Sequence, residues 1–467
     1  MKRLSIFLSL MLPLAARAAT LDGATLASWW ALPFVGLLLS IAVLPLVMPH
    51  LWHNHFGKLA AAWGLALLAP LALYGGWPLA WATLVHAMLA EYLPFIVLLA
   101  ALYTVAGGIC VHGQLHGSAR LNTGLLALGT LLASIMGTTG AAMLLIRPLL
   151  RANQHRRDQV HLVVFFIFLV ANAGGALSPL GDPPLFLGFL HGVSFFWTTE
   201  HLLWPTLFVC GVLLALFYLI DSIMLLRDPS PPPLPVSTER ARVTLDGKLN
   251  LLLLLAIILI VLGSAVWHPG FDLVLAGTHV ALQDAVRDGL LLAVLVASLK
   301  LTPHSARIGN AFGWAPIAEV AKLFAAIFIT IAPVIAILQA GPAGAFAALV
   351  KLVEDPQGQP LVPMYFWATG ILSSFLDNAP TYLVFFNSAG GHAPTLMTTG
   401  AHTLAAISAG AVFMGGNSYI GNAPNFMVKS IAEARAVRMP SFFGYLIWSA
   451  CILLPVFVLT TLIFFRG

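Results

Sequence analysis

Long runs of apolar residues, separated by short polar stretches, dominate this sequence. The clearest runs cover residues 29–48, 201–226, 249–267, 317–338 and 445–465. Each has about the 20 residues that an α-helix needs to cross the hydrocarbon core of a bilayer. A soluble domain can bury one or two such helices at its centre, but not this many. The pattern therefore predicts an all-α polytopic membrane protein.

The first 18 residues have the pattern of a secretory signal peptide. Lys2 and Arg3 form a positive start, residues 4–14 are apolar, and Ala16 and Ala18 form a small-residue cleavage site. Cleavage would leave the mature N-terminus outside the cytoplasm. The alternative is an uncleaved first helix.

Composition strengthens the membrane prediction, since 60% of the 467 residues are hydrophobic and 8% are charged, against roughly 25% charged residues in soluble domains. The net charge of +5 comes from loops that are rich in Arg and Lys. Such loops mark the cytoplasmic side of an inner membrane, so the expected partner is the lipid bilayer and not nucleic acid. The basic residues are Arg151, Arg156 and Arg157, then Arg227, Arg240, Arg242 and Lys248, then Lys429, Arg435 and Arg438.

A proline-rich segment, residues 227–248, divides the chain into two parts of similar length, 19–226 and 249–467. This polar segment reads as a semi-rigid cytoplasmic linker. The two parts share residues at an offset of 240 positions, which predicts two structural repeats. The matched pairs are Ser134 and Ser374, Gly175 and Gly415, Ser178 and Ser418, Gly181 and Gly421, Pro184 and Pro424, and Phe186 and Phe426.

The positions of the basic residues predict that the repeats are inverted. We expect a cytoplasmic loop at 50–58, followed by helices at 59–75 and 89–108. The segment 121–150 cannot cross completely, because Arg120 and the basic cluster at 151–157 would then lie on opposite sides. A re-entrant hairpin with its tip at 137–140 solves this conflict. The corresponding tip at 377–380 must enter from the opposite face, which is the plan of many secondary transporters.

Polar sequences interrupt apolar helices at four places: 137–140, 178–184, 373–380 and 415–425. An unpaired backbone amide or carbonyl costs several kcal/mol in lipid, so irregular backbone at this depth needs a protein or ligand partner. Freed carbonyls can coordinate a cation, and the N-termini of half-helices favour anions. The alternative is that these residues merely start helices, as Asp182 before Pro183 does.

Asp182 and Asp377 are the strongest individual candidates, because a carboxylate inside a membrane is costly and therefore functional by default. A carboxylate that holds either a proton or a sodium ion makes the two compete. For Asp377 the alternative is a helix cap. The candidate ion-binding or substrate-binding residues are Thr138, Thr139, Ser178, Asp182, Asp377, Asn378, Thr381, Asn417, Ser418 and Asn422, with Asp182, Asp377, Asn378 and Asn422 as sodium ligands. Arg147 follows the first hairpin and is expected to extend to the cytoplasmic surface, with pairing to an anion as the alternative. Glu91, Asp221, Glu319 and Lys322 are expected at solvated helix ends.

At these motifs the sequence resembles the ion transporter superfamily, in its citrate-transporter-like branch, whose members are often described as sodium:proton antiporters. The resemblance rests on residues 172–184, 377–381 and 421–425 and covers nearly the whole chain after residue 18. It implies inverted repeats, hairpins that enter from opposite faces, a scaffold domain, a moving transport domain and a homodimer. Dicarboxylate-carrier relatives have Ser-Asn-Thr signatures at the hairpin tips. The tips here read Gly-Thr-Thr-Gly and Asp-Asn-Ala-Pro-Thr, which favours a cation as cargo.

The leading functional hypothesis is sodium:proton antiport, with no cofactor and no enzymatic activity. The alternative is cation-coupled uptake of citrate or another small organic anion. A remote alternative is an intramembrane aspartyl protease that uses Asp182 and Asp377, although the Gly-x-Gly-Asp motif of such enzymes is replaced here by Pro179-Leu180-Gly181-Asp182.

Overall fold

The computed structural model describes residues 21–113, 115–228 and 244–466. The predicted signal peptide and residues 229–243 of the predicted linker lie outside these ranges. Within them, eight helical stretches are long and apolar enough to cross a membrane. They include 28–47, 197–227, 249–266, 315–339 and 442–464, in agreement with the five predicted apolar runs. The protein is an all-α polytopic membrane protein, as the hydrophobic pattern predicts.

The first part of the chain contains eight α-helices, and the second part contains eleven, within the described residues. The helices of the first part are α1 (Leu32–Val47), α2 (Pro49–His86), α3 (Leu93–Ala106), α4 (Ala119–Met136), α5 (Thr138–Ala152), α6 (Val160–Leu169), α7 (Pro183–Leu190) and α8 (Trp197–Arg227). Those of the second part are α9 (Leu249–Val266), α10 (Leu282–Leu301), α11 (His304–Gly309), α12 (Ala315–Gln339), α13 (Ala347–Val350), α14 (Val362–Phe375), α15 (Asn378–Ser388), α16 (Ala393–Met397), α17 (Ala401–Met414), α18 (Ala423–Glu433) and α19 (Phe442–Phe464).

Short strands add two small antiparallel pairs. Strand β1 (Cys110–His112) pairs with β2 (Thr244–Asp246), with Cys110 opposite Asp246. This pair joins the loop after α3 to the end of the predicted linker, directly before α9. Strands β3 (Asp272–Leu275) and β4 (Thr278–Ala281) form a hairpin before α10.

The predicted loop at 50–58 is wrong, because these residues are the first turns of α2. Met48 alone makes the turn, with φ −134° and ψ 61°, and Pro49 then starts the helix. Proline suits the first position of a helix, since its fixed φ is helical and its missing N–H would be unpaired there. The predicted helices 59–75 and 89–108 lie within the stretch Pro49–Ala106. At Gly76 the backbone is not helical, with φ +79° and ψ 168°, so the first predicted helix ends at residue 75 as expected. A π-helix, Ala87–Tyr92, leads into the second.

Helices α4 and α5 form the first predicted hairpin. Gly137, with φ +83°, makes the turn between them. At the open end the Gly117 N–H donates to the Ala152 carbonyl at 2.8 Å, and Asn122 and Asn153 exchange side-chain hydrogen bonds. The two arms therefore begin and end at the same place. Helix α4 is long enough to span a membrane, yet it is one arm of this hairpin.

Helices α14 and α15 form the second hairpin, joined by Leu376 and Asp377. The rings of Tyr365 and Phe385, near its open end, lie 6.4 Å apart. Both tips therefore lie at the predicted places, with Thr138 and Asn378 as the first residues of the returning helices.

The two hairpins approach from opposite ends of the broken helix formed by α6 and α7. At the start of α6, His161 shares the carboxylate of Asp221 with Asn122, which lies at the open end of the first hairpin. At the end of α7, the ring of His191 lies 5.9 Å from the ring of Phe386 in the second hairpin. This arrangement has the inverted topology that the charge distribution predicts.

Protein surrounds the broken helix almost completely. In the apolar stretch 160–177, 89% of the residues are buried inside the protein. In an apolar stretch of the same length in helix α8, 28% of the residues are buried. The interruption between α6 and α7 is therefore packed inside the protein, and α8 presents most of its surface outward. Irregular backbone at membrane depth is tolerated where protein covers it.

Candidate ion-binding site at the helix breaks

The two helix breaks have nearly the same backbone. A 3₁₀ turn, Ala173–Leu177 or Gly415–Asn417, leads into an extended serine. Ser178 has φ −149° and ψ 160°, and Ser418 has φ −139° and ψ 169°. An extended Asp182 or Asn422 then precedes α7 or α18, each with proline in its first turn. Proline cannot continue the preceding hydrogen-bond ladder, so each break is encoded locally.

Equivalent hydrogen bonds hold each break against the hairpin of its own repeat. The Ser178 hydroxyl donates to the Ser134 carbonyl, and the Ser418 hydroxyl donates to the Ser374 carbonyl. The backbone N–H two residues after each serine donates to its hydroxyl at 3.2 Å, from Leu180 and from Ile420. These pairs lie 240 positions apart, so the sequence repeat corresponds to a repeat of structure.

Asp182 is the point at which both hairpins and both breaks meet. Its side chain is 2% exposed. One carboxylate oxygen accepts from the Thr138 hydroxyl at 3.1 Å and from the Asn422 amide at 3.0 Å. The other oxygen accepts from the amide of Asn378. Thr138 and Asn378 are the tips of the two hairpins, and Asn422 occupies the position equivalent to Asp182 in the second repeat.

The carboxylate of Asp182 has polar partners but no opposite charge. Among the described residues, no lysine, arginine or histidine forms an ion pair with it. Beside it, the Oδ1 atom of Asn378 is buried and accepts no hydrogen bond within the described part of the chain. Burying an isolated carboxylate is very costly, so this group requires a proton or a cation. Its surroundings supply the oxygen atoms that a hard cation prefers.

Two asparagines that are absent from the predicted site residues connect the breaks to each other. The Asn172 amide donates to Asn425 Oδ1 at 2.7 Å. The Asn425 amide donates in turn to the carbonyls of Gly415 at 2.8 Å and Ser418 at 2.9 Å. Both asparagines satisfy backbone and amide groups that the breaks leave open. Their positions inside the motifs 172–184 and 421–425 could have identified them from the sequence, because an amide at these positions has no role in helix capping.

Glycine is required where the two breaks pass close to other atoms. A Cβ on Gly175 would lie 2.7 Å from Cγ2 of Thr138 and 3.1 Å from Cβ of Asp182. A Cβ on Gly181 would lie 2.2 Å from the carbonyl oxygen of Gly175. Since backbone atoms cannot move aside as a flexible side chain can, a larger residue at position 181 would push the break open.

The structure brings four of the predicted residues together and places the others around them. Ser178, Ser418 and Asn417 hold the breaks against the hairpins. The two serines do so through the bonds described above, and the Asn417 amide donates to the Ser374 hydroxyl at 2.9 Å. Asp377 caps its own helix by accepting from the Ala379 N–H at 3.1 Å, and the Thr381 hydroxyl donates to the Asp377 carbonyl at 3.0 Å. Within the described residues, the Thr139 side chain makes no hydrogen bond. The four that meet are Thr138, Asp182, Asn378 and Asn422.

The expectation that Asp221 occupies a solvated helix end is wrong. Its side chain is fully buried and forms ion pairs with Arg156 at 2.6 Å and with His161 at 2.7 Å. The amide of Asn122 donates to its second oxygen at 2.9 Å. A buried charge needs a partner, and the fold supplies Arg156 from the loop between α5 and α6 and His161 from the start of α6. Asp221 lies 60 positions from His161 and 65 positions from Arg156 in the sequence, so no local pattern predicts this pairing.

The model of the family described as "Putative citrate transport" matches residues 23–465. The chain belongs to this family. Among individually curated proteins, none matches it.

Membership of the citrate-transport family and the membrane-helical fold together identify the protein as a secondary transporter and not an enzyme. The aspartyl protease alternative lacks its geometry as well. A protease dyad needs two carboxylates that share a proton. In the described residues, Asp182 and Asp377 form no hydrogen bond with each other, and Asp377 is engaged as a helix cap.

Proposed function

We propose that this transporter exchanges sodium ions for protons and that Asp182 carries either ion in turn. The observation that supports the proposal is a buried carboxylate, without a basic partner in the described residues, at the meeting point of both breaks and both hairpins. A proton neutralises this group when no metal is bound, and a sodium ion replaces the proton. Because the two compete for one carboxylate, exchange follows directly.

The ligands of the sodium ion would come from both repeats. The carboxylate of Asp182 and the hydroxyl of Thr138 belong to the first repeat. The Oδ1 atom of Asn378, which accepts no hydrogen bond from any described residue, belongs to the second. A ligand set that spans the two repeats would be rearranged when one moves against the other, as alternating access requires. We place the basic loops on the cytoplasmic face of an inner membrane and expect a homodimer.

Measurement of sodium-induced proton movement in everted vesicles tests this assignment. Asp182→Asn should abolish the sodium-dependent signal, because an amide cannot take up the proton or balance the cation. Raising the pH should increase the apparent sodium affinity of the wild type, since fewer protons compete for the site. Unchanged exchange by Asp182→Asn would refute the proposal.

Asp377→Asn provides a matched variant in the same assay. Asparagine caps a helix about as well as aspartate, so the second hairpin should keep its start. We expect this variant to lose less exchange than Asp182→Asn. If the two variants lose exchange equally, Asp377 is a second ion-carrying carboxylate, as the sequence suggests.

The family description favours a second candidate, the cation-coupled uptake of citrate. In that case the sodium site at Asp182 would be a coupling site, and the half-helix N-termini near Thr138 and Asn378 would face the substrate. Sodium-dependent uptake of labelled citrate, without sodium-induced proton movement, would establish this alternative.

A further inference from the structure

A titratable pair of side chains joins the end of helix α7 to the stretch Pro49–Ala106. Helix α7 starts directly after Asp182 and ends at Leu190, so His191 lies about 13 Å along the helix axis from the central carboxylate. The Nε2 atom of His191 lies 3.6 Å from Oε1 of Glu91, and the two side chains are 21% and 23% exposed. The pair is therefore separate from the site at Asp182 and lies at the other end of the half-helix that begins there.

Glu91 lies in the π-helix Ala87–Tyr92, directly before α3. Helices of this type are rare and are frequently found at functional sites. The sequence predicts a solvated helix end for Glu91, but its Oε2 atom is buried and has no hydrogen-bond partner in the described part of the chain. A buried carboxylate oxygen without a partner is costly, so this carboxylate favours a bound proton or a positive charge beside it.

The protonation of the His191 ring can be assigned from its hydrogen bond to the backbone. Its Nδ1 atom lies 2.9 Å from the carbonyl oxygen of Leu187. A carbonyl only accepts, so Nδ1 carries a proton, and a neutral ring leaves a lone pair on Nε2, towards Glu91. That lone pair would repel an ionised carboxylate. The two side chains attract each other only when the pair holds one more proton, on Nε2 of the ring or on the carboxyl group of Glu91.

No third side chain forms an ion pair with Glu91 or His191 among the residues that the structure describes. The π-helix packs mainly against α2, α3, α12 and β4, and α7 packs mainly against α15 and α17. Near neutral pH, the side chains on these elements that can be charged are His86, His279, Glu319, Lys322, His402 and the three histidines and one lysine within residues 50–58. The attraction within the pair is therefore set by its own proton and not by a fixed charge bonded to it.

We propose that Glu91 and His191 form a second proton-binding site, which holds the end of α7 against the stretch Pro49–Ala106 when it is occupied and releases it when the proton leaves. The proton is bound at low pH and is lost as the pH rises, so the contact weakens towards alkaline pH. The site would operate in the same way with sodium or with citrate as the cargo.

Hydrogen exchange of the full-length chain in nanodiscs, followed by mass spectrometry, tests this site. In the wild type, the backbone amides of residues 187–193 should exchange about two- to fivefold faster at about pH 8 than at about pH 5.5, after correction for the intrinsic effect of pH. Glu91→Gln should remove this difference and keep exchange slow, because its amide can donate to the lone pair of Nε2 at either pH. Glu91→Leu should also remove the difference, with fast exchange at both pH values.

Gln339→Leu provides the matched control. The Nε2 atom of Gln339 donates to Oδ1 of Asn387 at 2.8 Å, a contact between α12 and the second hairpin that contains no titratable group. This variant should keep the wild-type ratio of amide exchange rates at the end of α7. A wild-type ratio close to one would overturn the proposal, and so would an unchanged ratio in Glu91→Gln.

Asp182→Asn separates this site from the proposed exchange of sodium for protons. The ratio of amide exchange rates at the end of α7 should persist in this variant, although its sodium-dependent proton movement is lost. If the ratio disappears in Asp182→Asn, the pH dependence comes from the central carboxylate and the second proton site is refuted. If the ratio persists and proton movement persists too, the second proton site stands and the function proposed for Asp182 fails.

Discussion

Asp182 of the first repeat and Asn422 of the second occupy equivalent positions, each preceding a half-helix that begins with proline in its first turn. Their backbone angles agree closely, with φ −138° and ψ 143° for Asp182 and φ −153° and ψ 138° for Asn422. Their side chains differ by one charge, and they form a hydrogen bond to each other at 3.0 Å. At this position the two repeats therefore have the same backbone conformation but side chains of different charge.

There is a physical reason for aspartate in one repeat and asparagine in the other. Two carboxylates within hydrogen-bond distance would repel each other, and one would stay protonated. An asparagine at position 422 stabilises the single carboxylate by donating to it, and the tip residues Thr138 and Asn378 do the same. In the proposed exchange, the carboxylate of Asp182 would be the group that holds the proton or the sodium ion, and Asn422 would leave it the charge that the cation needs.

A second difference lies away from the site. In the first repeat, Asp221 pairs with Arg156 and His161 in the protein interior. The positions 240 residues further along are Thr461, Leu396 and Ala401, which cannot form ion pairs. The first repeat is thus held together by a buried charge network at the open end of its hairpin, and the second repeat has apolar or hydroxyl side chains there.

Exchanging the two central residues should have the largest effect. The single change Asp182→Asn should abolish exchange, and the double variant with Asn422→Asp should recover part of it, because the carboxylate returns to an equivalent place. Sodium-dependent proton movement in vesicles measures both. A double variant as inactive as the single one would show that the repeats are not interchangeable at this position.

Asp221→Asn should give the next largest effect, on stability. The change leaves the buried Arg156 without a counter-charge, and removing one partner of a buried ion pair costs about 3–5 kcal/mol. Thermal unfolding in detergent measures the loss.

The equivalent position of the second repeat provides the control for Asp221. Thr461→Val removes only a hydroxyl that donates within its own helix, to the Phe457 carbonyl at 2.8 Å. If this change lowers the unfolding temperature as much as Asp221→Asn does, the charge network does not stabilise the first repeat.

The smallest effect is expected from Ser178→Ala and Ser418→Ala. Each removes the hydrogen bond from a break to its hairpin and the bond that the hydroxyl accepts from the N–H two residues on, and each such bond contributes about 1 kcal/mol to stability. Because these bonds are equivalent, the two variants should lower the unfolding temperature by similar amounts. A clear difference would reveal that one break is held more firmly than the other.

Much of the fold could be predicted because its signals are local. Apolar runs long enough for a bilayer predicted the spanning helices, and proline after Asp182 and Asn422 predicted where half-helices begin. The hairpin tips at Gly137 and Asp377 followed from polar interruptions and from basic residues at both ends of a segment. The turn at Met48 was missed, because Pro49 starts a helix where its polar neighbours suggested a loop.

The sequence by itself determined the helix breaks, the two repeats and their opposite orientation, since these depend on residue type, spacing and charge along the chain. Only the tertiary structure decided which polar residues meet. It brought Asn422 to Asp182, joined Asn172 to Asn425, and paired Asp221 with Arg156. These contacts join residues as far as 253 positions apart. They depend on packing between helices, so no local sequence pattern predicts which residues meet.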